Sequence, residues 1–142
     1  MVSLQQFCTF LLDGEWFGVP VADVQEVFQN RDMTPVPLAP DRVAGMINLR
    51  GKIVFVIDLR RRLGMPDRLP GQPSFNVVVR GHDGVVSLQV DEIGDVIEAD
   101  HQTVENLPET LQGIAREVIQ RIYKLPDRLL LVLDIDRIAP LT

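Results

Sequence analysis

A chain of 142 residues with 46% apolar and 24% charged residues has the size and composition of one folded domain, which excludes intrinsic disorder. Its single cysteine, Cys8, excludes an intrachain disulfide framework and a zinc site of the CxxC type. The first residues lack the basic region and the apolar stretch of a signal peptide, and no apolar run reaches the roughly 20 residues that span a bilayer. These features predict a soluble, cytoplasmic protein that does not insert into membranes.

The net charge of −6 is unevenly distributed along the chain. Residues 1–71 hold eight basic and eight acidic side chains, whereas residues 72–142 hold six basic and twelve acidic ones. Seven carboxylates and no lysine or arginine occur over residues 91–109, a stretch that we expect to form a solvated acidic face. An acidic surface repels phosphate backbones, and only 6% of the residues are aromatic, so nucleic acid is excluded as a partner.

The first half of the chain shows the apolar periodicity of strands, interrupted by turn signals. It predicts, in order, a hairpin over residues 7–19, a helical turn that runs into a strand over 21–27, a proline-containing loop over 34–40, a hairpin over 45–57 and a short helix over 59–63. The hairpin turns are Asp13-Gly14 and Arg50-Gly51. Residues 64–73 hold three prolines and two glycines and form the only candidate linker.

The second half predicts strands over residues 75–79 and 85–90, then a second three-residue recurrence at Val90, Ile93 and Val96, and a last pair of strands over 118–125 and 129–133. Residues 49–61 and 125–137 align at an offset of 76 positions, with four identities and mostly conservative aliphatic exchanges elsewhere. A second match, at an offset of 69, pairs Val21, Val24 and Val27 with Val90, Ile93 and Val96. Two matches in the same order along the chain indicate an internal duplication.

Such a duplication predicts one domain over residues 1–142 with two similar small β-barrels, in the approximate halves 1–66 and 74–142. Each half is too small to bury a core of its own, so the barrels should pack around a shared core. Chance similarity between short apolar strands is the competing explanation for either match taken alone.

A search for catalytic chemistry finds none of the motifs GxGxxG, GxxxxGK[ST], HExxH or GxSxG. His82 and His101 have no second ligand three or four residues away, which predicts solvated histidines and no metal site. Cys8 lies within an apolar strand, where a free cysteine acts as a small buried hydrophobe. Asp134 follows an apolar strand and is interpreted as a helix cap. We therefore expect no enzymatic activity, no cofactor and no metal.

Residues 45–60, with the sequence GMINLRGKIVFVIDLR, resemble the most distinctive block of the CheW-like coupling proteins of bacterial chemosensory arrays. In that family an N-L-R-G turn joins two core strands, and a D-L-R segment follows the second strand. Further segments similar to family motifs are VQEV at 24–27, the loop at 34–40, VDEIGDV at 90–96 and the closing strand at 125–138. The resemblance covers approximately residues 5–138. Two residues depart from it: Ser87 replaces a common glycine, and Gln89 lies in a normally apolar strand.

This resemblance implies a mainly β fold in which two intertwined, SH3-like, five-stranded β-barrels share a hydrophobic core, with a few short helices. It implies a non-enzymatic adaptor that couples the cytoplasmic tip of a chemoreceptor to the regulatory domain of the histidine kinase CheA, itself CheW-like, at membrane-associated receptor arrays. Other CheW-like domains are further candidate partners. A pilus-type chemosensory system stays open as an alternative. So does a small ligand-binding β-barrel, although the sequence offers no obvious polar cluster for a ligand.

Two of the family-like segments carry one charge of each sign. We expect Glu26 and Arg50 to form an ion pair that holds the N-L-R-G turn against the strand at 24–28, unless each is merely solvated. We expect the receptor tip, a helical hairpin, to dock in an apolar groove between the barrels. The repeat-related residues expected to line this groove, unless they are ordinary core residues, are Val24, Val27, Ile93 and Val96.

The kinase regulatory domain is expected to bind the first barrel near the turn at Arg50. The residues expected at this contact are Lys52, Ile53, Asp58, Arg60 and Arg62. Unlike ends of CheW-like domains would meet there, because the arginine run at 60–62 and the acidic second half attract each other. A solvated helix face is the competing explanation for these arginines.

Overall fold

The computed structural model of the chain describes residues 5–30, 32–99 and 113–138. The described residues form ten strands: β1 (Gln5–Leu12), β2 (Glu15–Pro20), β3 (Val24–Gln29), β4 (Val43–Leu49), β5 (Lys52–Asp58), β6 (Phe75–Gly81), β7 (Gly84–Val90), β8 (Glu92–Ala99), β9 (Ile119–Lys124) and β10 (Leu129–Leu133). The three helices are α1 (Leu59–Arg62), α2 (Ile114–Val118) and α3 (Ile135–Ile138), and a 3₁₀ turn, Val21–Asp23, leads into β3. None of the helices in these segments combines the length and the apolar character that a membrane crossing needs.

The strands form two five-stranded sheets that are built on the same plan. Sheet A has the order β8-β1-β2-β10-β9, and sheet B has the order β3-β6-β7-β5-β4. Neighbouring strands are antiparallel except for one parallel pair in each sheet, β2 with β10 and β7 with β5. Strands that occupy the same place in the two sheets are counterparts in the repeat.

Counterpart strands also share their registers. Phe10 of β1 pairs with Ile93 of β8 in sheet A, and Val79 of β6 pairs with Val24 of β3 in sheet B. Phe10 and Val79 are 69 positions apart in the sequence, and so are Val24 and Ile93. A β-bulge interrupts both ladders next to these pairs. The two sheets therefore repeat the same ladder geometry at the offset of the sequence match.

Each sheet draws strands from both copies of the repeat. The hairpin β1–β2 of the first copy pairs with β8 and β10 of the second, and the hairpin β6–β7 of the second copy pairs with β3 and β5 of the first. The sheets therefore do not coincide with the expected halves 1–66 and 74–142. In each sheet, three strands of one copy are thus completed by the hairpin of the other copy.

A shared core lies between the sheets, and each sheet also curls over a small core of its own. The largest fully buried side chains include Phe10 and Phe17, which stack with ring centroids 6.5 Å apart in the shared core. The small core of sheet A contains Phe7, Ala99, Tyr123, Leu130 and Val132. The small core of sheet B contains Ile47, Val54 and Val56. The predicted shared core is therefore present, together with two satellites.

The predicted short elements are largely confirmed. Asp58 and Asp134, which follow the counterpart strands β5 and β10, each cap the next helix, because a side-chain oxygen accepts from a main-chain amide two or three residues later. The end of the chain differs from the prediction. Val118 ends the helix α2, so β9 begins one residue later than expected.

Candidate docking surfaces

The hairpin between β4 and β5 ends in the two-residue turn Arg50-Gly51. Leu49 pairs with Lys52, and both loop residues have positive φ, 56° and 86°. This is the geometry of a type I′ turn, which suits the twist of a hairpin but strains a non-glycine residue such as Arg50. The side chain of Asn48 supports the turn, since its Oδ1 accepts from the Gly51 amide at 2.9 Å. The N-L-R-G motif is thus a turn that aims Arg50 at solvent.

The structure places the expected partners Glu26 and Arg50 side by side. Arg50 Nη2 lies 3.5 Å from Glu26 Oε2, but the Arg50 side chain is 82% exposed rather than partly buried. An exposed ion pair of this kind contributes about 0–1 kcal/mol to stability. The pair therefore orients the turn relative to β3, and the strained, solvent-facing Arg50 is accessible to a partner.

A groove of about 450 Å³ lies between this hairpin and β3. We call it the sheet B groove. Besides Glu26, the residues that line it include Gln25, Arg50, Lys52, Ile53, Arg80 and Val85. Ile53 is 58% exposed, so the groove combines an apolar lip with three cationic side chains and one carboxylate.

The four residues expected at the receptor groove lie on the edge strands β3 and β8. Val27, Ile93 and Val96 are 41%, 38% and 56% exposed, and Val24 is partly buried. Their cross-strand partners are Val77, Phe10, Cys8 and Val79, respectively. All four partners belong to the shared core or pack against it, and cross-strand partners lie on the same face of a sheet. The expected residues therefore border the shared core at the sheet edges, and they are not all core residues.

The residues expected at the kinase contact are not brought together. Lys52 and Ile53 are exposed at the start of β5, next to the turn, whereas Asp58 ends the same strand. Six strand residues rise about 20 Å, so the two groups lie at opposite ends of β5. The segment from Asp58 to Arg62 is therefore separate from the surface around the turn.

Arg60 is a buried residue, contrary to the expectation that it lies on an accessible helix face. Its Nε and Nη2 donate to the buried Asp91, at 2.9 Å and 2.6 Å to Oδ1 and Oδ2. Arg68 Nε lies 2.7 Å from Asp91 Oδ1, and the Asp13 amide donates to Asp91 Oδ2 at 2.8 Å. We call Arg60, Arg68 and Asp91 the buried ion cluster. It ties α1 and the linker to the end of β7.

The cluster favours the charged form of Asp91. Burial by itself would raise the pKa of this carboxyl group, but the hydrogen bonds from Arg60 and the Asp13 amide, with the charges of Arg68 and Arg60, hold the pKa below its ordinary value. The hydrogen bond to Asp91 also raises the pKa of Arg60. Asp91 was expected on a solvated acidic face. The one sequence signal for burial was its place directly after an apolar strand.

Arg62, the other arginine expected at the kinase contact, is partly buried. Its Nη2 donates to the main-chain oxygen of Arg137 at 2.7 Å, which links α1 to α3. Desolvation, aided by the nearby charge of Arg42, lowers the pKa of Arg62. Arg62 thus contacts the second copy of the repeat within the same chain.

Two other expectations concern His82 and Cys8. His82 is exposed, and it is paired with Asp136 of α3, since Nδ1 and the main-chain amide of His82 both contact that carboxylate. This pairing raises the pKa of His82 and lowers the pKa of Asp136. Cys8 is partly buried against the shared core, and burial raises the pKa of its thiol.

No group of three or more histidine, cysteine, aspartate or glutamate side chains that could hold a metal ion occurs within the described residues. His101 and the part of the predicted acidic face over residues 100–109 lie outside those residues. The two departures from the family pattern have local explanations. Ser87 Oγ donates to Asn76 Oδ1 at 2.9 Å, and Gln89 Nε2 donates to Ser74 Oγ at 3.2 Å, so both buried polar side chains are hydrogen-bonded.

Residues 6–141 match the family described as CheW-like domain. The chain is 31% identical over 130 residues to the Chemotaxis protein CheW of Bacillus subtilis (strain 168), an alignment that covers 92% of this chain and 83% of the relative. It is 29% identical over 137 residues to the Chemotaxis protein CheW of Treponema pallidum (strain Nichols), covering 94% of this chain and 81% of that relative.

The crystal structure of the scaffolding protein TtCheW from Thermoanaerobacter tengcongensis is similar to this chain, with a TM-score of 0.82 and 30% sequence identity. The match covers 93% of this chain and 90% of the other. It confirms the predicted fold class, a mainly β protein with two SH3-like barrels.

Proposed function

The chain belongs to the CheW-like domain family, whose members are scaffold and adaptor proteins of chemotaxis and not enzymes, and we propose that it joins two partners through two separate surfaces. One partner is the cytoplasmic tip of a chemoreceptor, and the other is the regulatory domain of the histidine kinase CheA. Coupling of this kind takes place at the cytoplasmic side of a membrane-associated receptor array. Other CheW-like domains are candidate partners at the second surface.

The receptor surface is proposed at the edge strands β3 and β8. The observation that carries it is the exposure of Val27, Ile93 and Val96 on the faces that border the shared core. Large apolar side chains that are exposed at a sheet edge support an interaction site. An amphipathic helix of a receptor hairpin presents apolar anchors three and four residues apart, which suits a groove with an apolar border.

The kinase surface is proposed around Lys52 and Ile53, beside the turn at Arg50. The exposed Ile53 side chain and the cationic neighbours on the sheet B groove support this placement. Arg60 is withdrawn from the proposed surface because it is buried in the ion cluster. Asp58 and Arg62 are not part of the proposed surface, because Asp58 lies at the other end of β5 and Arg62 follows it in α1.

The test is to separate the two activities with single substitutions. The variants Val96→Asp and Val27→Asp should each weaken binding of a receptor tip fragment by at least tenfold in calorimetric titration, because they place a charge in an apolar contact. Binding of the CheA regulatory domain should stay unchanged. The variant Ile53→Asp should show the reverse pattern.

Leu69→Asp provides the matched control, since Leu69 is also an exposed apolar residue but lies in the linker and belongs to neither proposed surface. It should bind both partners like the unmodified protein. Unchanged receptor binding by both valine variants would contradict the receptor surface. Loss of both partners together in a folded variant would contradict the separation of the two surfaces.

A further inference from the structure

The repeat offers an internal comparison for the sheet B groove. The counterparts of Val85, Gln25 and Lys52 in sheet A are Trp16, Gly94 and Arg128, at the offsets of 69 and 76 that relate the matching strands. Because the registers of the two sheets agree, these three residues occupy in sheet A the place that the groove occupies in sheet B.

In sheet A a side chain of the same sheet, Trp16, fills this place. The Trp16 ring packs so closely over Gly94 that a Cβ atom at position 94 would overlap it. The Arg128 guanidinium lies 4.2 Å from the centre of the Trp16 ring, a cation–π contact. The sheet A site therefore holds an aromatic side chain between a strand and a cation.

In sheet B the same place is open. Val85 is too short to reach across it, and the groove of about 450 Å³ remains. The Gln25 side chain lines the groove where sheet A has a glycine, and with its oxygen turned toward Arg80 it accepts from Nε and Nη2 at 2.9 Å and 3.0 Å. Lys52 takes the position of Arg128, and is exposed.

We propose that the sheet B groove receives an aromatic side chain of the CheA regulatory domain, which lies beside Val85, against Gln25 and beneath Lys52, as Trp16 lies against Gly94 and beneath Arg128. The proposal rests on the kinase surface proposed above and names the chemistry that it recognises. Arg50, Lys52 and Arg80 line the groove against one carboxylate, Glu26. The aromatic residue should therefore have acidic neighbours, since opposite charges around an apolar anchor favour the correct partner.

A second copy of this chain is not the occupant. All eight aromatic residues of the sequence lie in the described segments, and none of them belongs to the exposed class. Trp16, the one partly exposed indole, is already engaged by Arg128 and Gly94. A partner that carries an exposed aromatic side chain is required.

The experiment fills the groove from within, as sheet A does. In the double variant Gln25→Gly with Val85→Trp, the new indole should occupy the groove and block the partner. We expect binding of the CheA regulatory domain to fall at least tenfold in calorimetric titration, with receptor fragment binding and thermal midpoint retained. The variant Leu69→Trp is the matched control, because it adds an indole at an exposed residue that does not line the groove, and it should bind the regulatory domain like the unmodified protein.

A second variant decides the question if the double variant does not fold. Lys52→Glu alters an exposed side chain, and it should weaken binding of the regulatory domain at least fivefold by removing the cation and repelling the acidic neighbours. Unchanged binding by the folded double variant would overturn the aromatic site and leave the kinase surface standing, whereas unchanged binding by Lys52→Glu would overturn both the aromatic site and the placement of the kinase surface at Lys52. If the unmodified protein does not bind the regulatory domain, the proposed kinase coupling fails, and the aromatic site fails with it.

Discussion

The two copies of the repeat keep the same strands, registers and helix caps, but they connect to their surroundings in different ways. After β5, Arg60 enters the buried ion cluster with Asp91 and Arg68. After β10, the counterpart of Arg60 is Asp136, which pairs with the exposed His82. The counterpart of His82 is Asp13, whose carboxylate lies 3.8 Å from Arg60, so the signs of the two charges are reversed between the copies.

The interiors of the two sheets differ as well. Sheet A fills its small core with Phe7 and Tyr123, whose ring centroids lie 5.5 Å apart. At the place of Phe7, sheet B has Asn76, which donates to Asn30 and accepts from Ser87. The backbone plan thus depends on the strand pattern and the caps, which both copies share. The side chains that fill each sheet are free to differ, and the differences determine which sheet presents an open groove.

The largest expected effect comes from breaking the buried ion cluster. Asp91→Ala should destabilise the fold by about 3–5 kcal/mol, because it leaves two arginines buried without their carboxylate. The free energy of unfolding in urea provides the measurement. Asp136→Ala removes the carboxylate of Asp136, the counterpart of Arg60. It should lower the free energy of unfolding much less, because the pair of Asp136 with His82 is exposed. Equal losses for the two variants would contradict the difference between the copies.

A smaller loss of stability is expected at the place that the Trp16 ring fills in sheet A and that is an open groove in sheet B. Gly94→Ala should destabilise by about 1–3 kcal/mol, because the added methyl group displaces the Trp16 ring. Truncation of its counterpart, Gln25→Ala, should change stability by no more than about 0.5 kcal/mol. Chemical denaturation followed by Trp16 fluorescence measures both. A neutral Gly94→Ala would show that the Trp16 ring does not pack tightly on β8.

The turn motif of sheet B allows a third comparison. Asn48→Ala removes the hydrogen bond to the Gly51 amide and should cost about 0.5–1.5 kcal/mol. The counterpart in sheet A is Lys124, which is exposed, and Lys124→Ala should be neutral to within about 0.5 kcal/mol. Thermal unfolding of the two variants tests this difference. An Asn48→Ala variant with unchanged stability would show that this hydrogen bond does not stabilise the turn.

The smallest effect is the pH dependence of the His82–Asp136 pair. The pKa of His82 is raised, first by its hydrogen bond to Asp136, so the contribution of this pair to stability is complete below pH 6.5 and is lost as the pH rises through the raised pKa. The pKa of Asp136 is lowered, so the contribution is also lost as the pH falls through that lower value.

NMR titration of the His82 ring provides the measurement. Its pKa should lie above 6.5 in the unmodified protein and return towards 6.5 in Asp136→Asn, with the remaining rise due to Asp83 and Asp134. A His82 pKa that does not respond to Asp136→Asn would contradict the pairing.

Much of the fold was predictable from the sequence because it depends on local signals. The apolar strand periodicity, the turns at Asp13-Gly14 and Arg50-Gly51 and the repeat gave the elements and the shared core. The exchange of hairpins between the copies was not predictable from periodicity, because strand pairing is a long-range property. It is the reason that the sheets do not follow the halves 1–66 and 74–142.

The candidate sites were predictable in part. The pair of Glu26 with Arg50 was expected from two family-like segments, and the structure brings these two side chains within 3.5 Å. The receptor residues at β3 and β8 stay a prediction. The position of Arg60 was predicted wrongly, because a run of three arginines is typical of a solvated helix face. Its buried partner Asp91 lies 31 residues later, and no local sequence signal indicates this contact. The aromatic filling of sheet A was missed because Trp16, Gly94 and Arg128 are far apart in sequence.

The central claim is that one chain binds both partners at the same time through separate surfaces. Its most direct test is sedimentation velocity of the chain with a receptor tip fragment and the CheA regulatory domain, all at saturating concentrations. We predict a complex that contains all three components, and an affinity for the receptor fragment that does not change when the regulatory domain is already bound. Displacement of the receptor fragment by the regulatory domain would contradict the claim, because it would mean that the two partners compete for one surface.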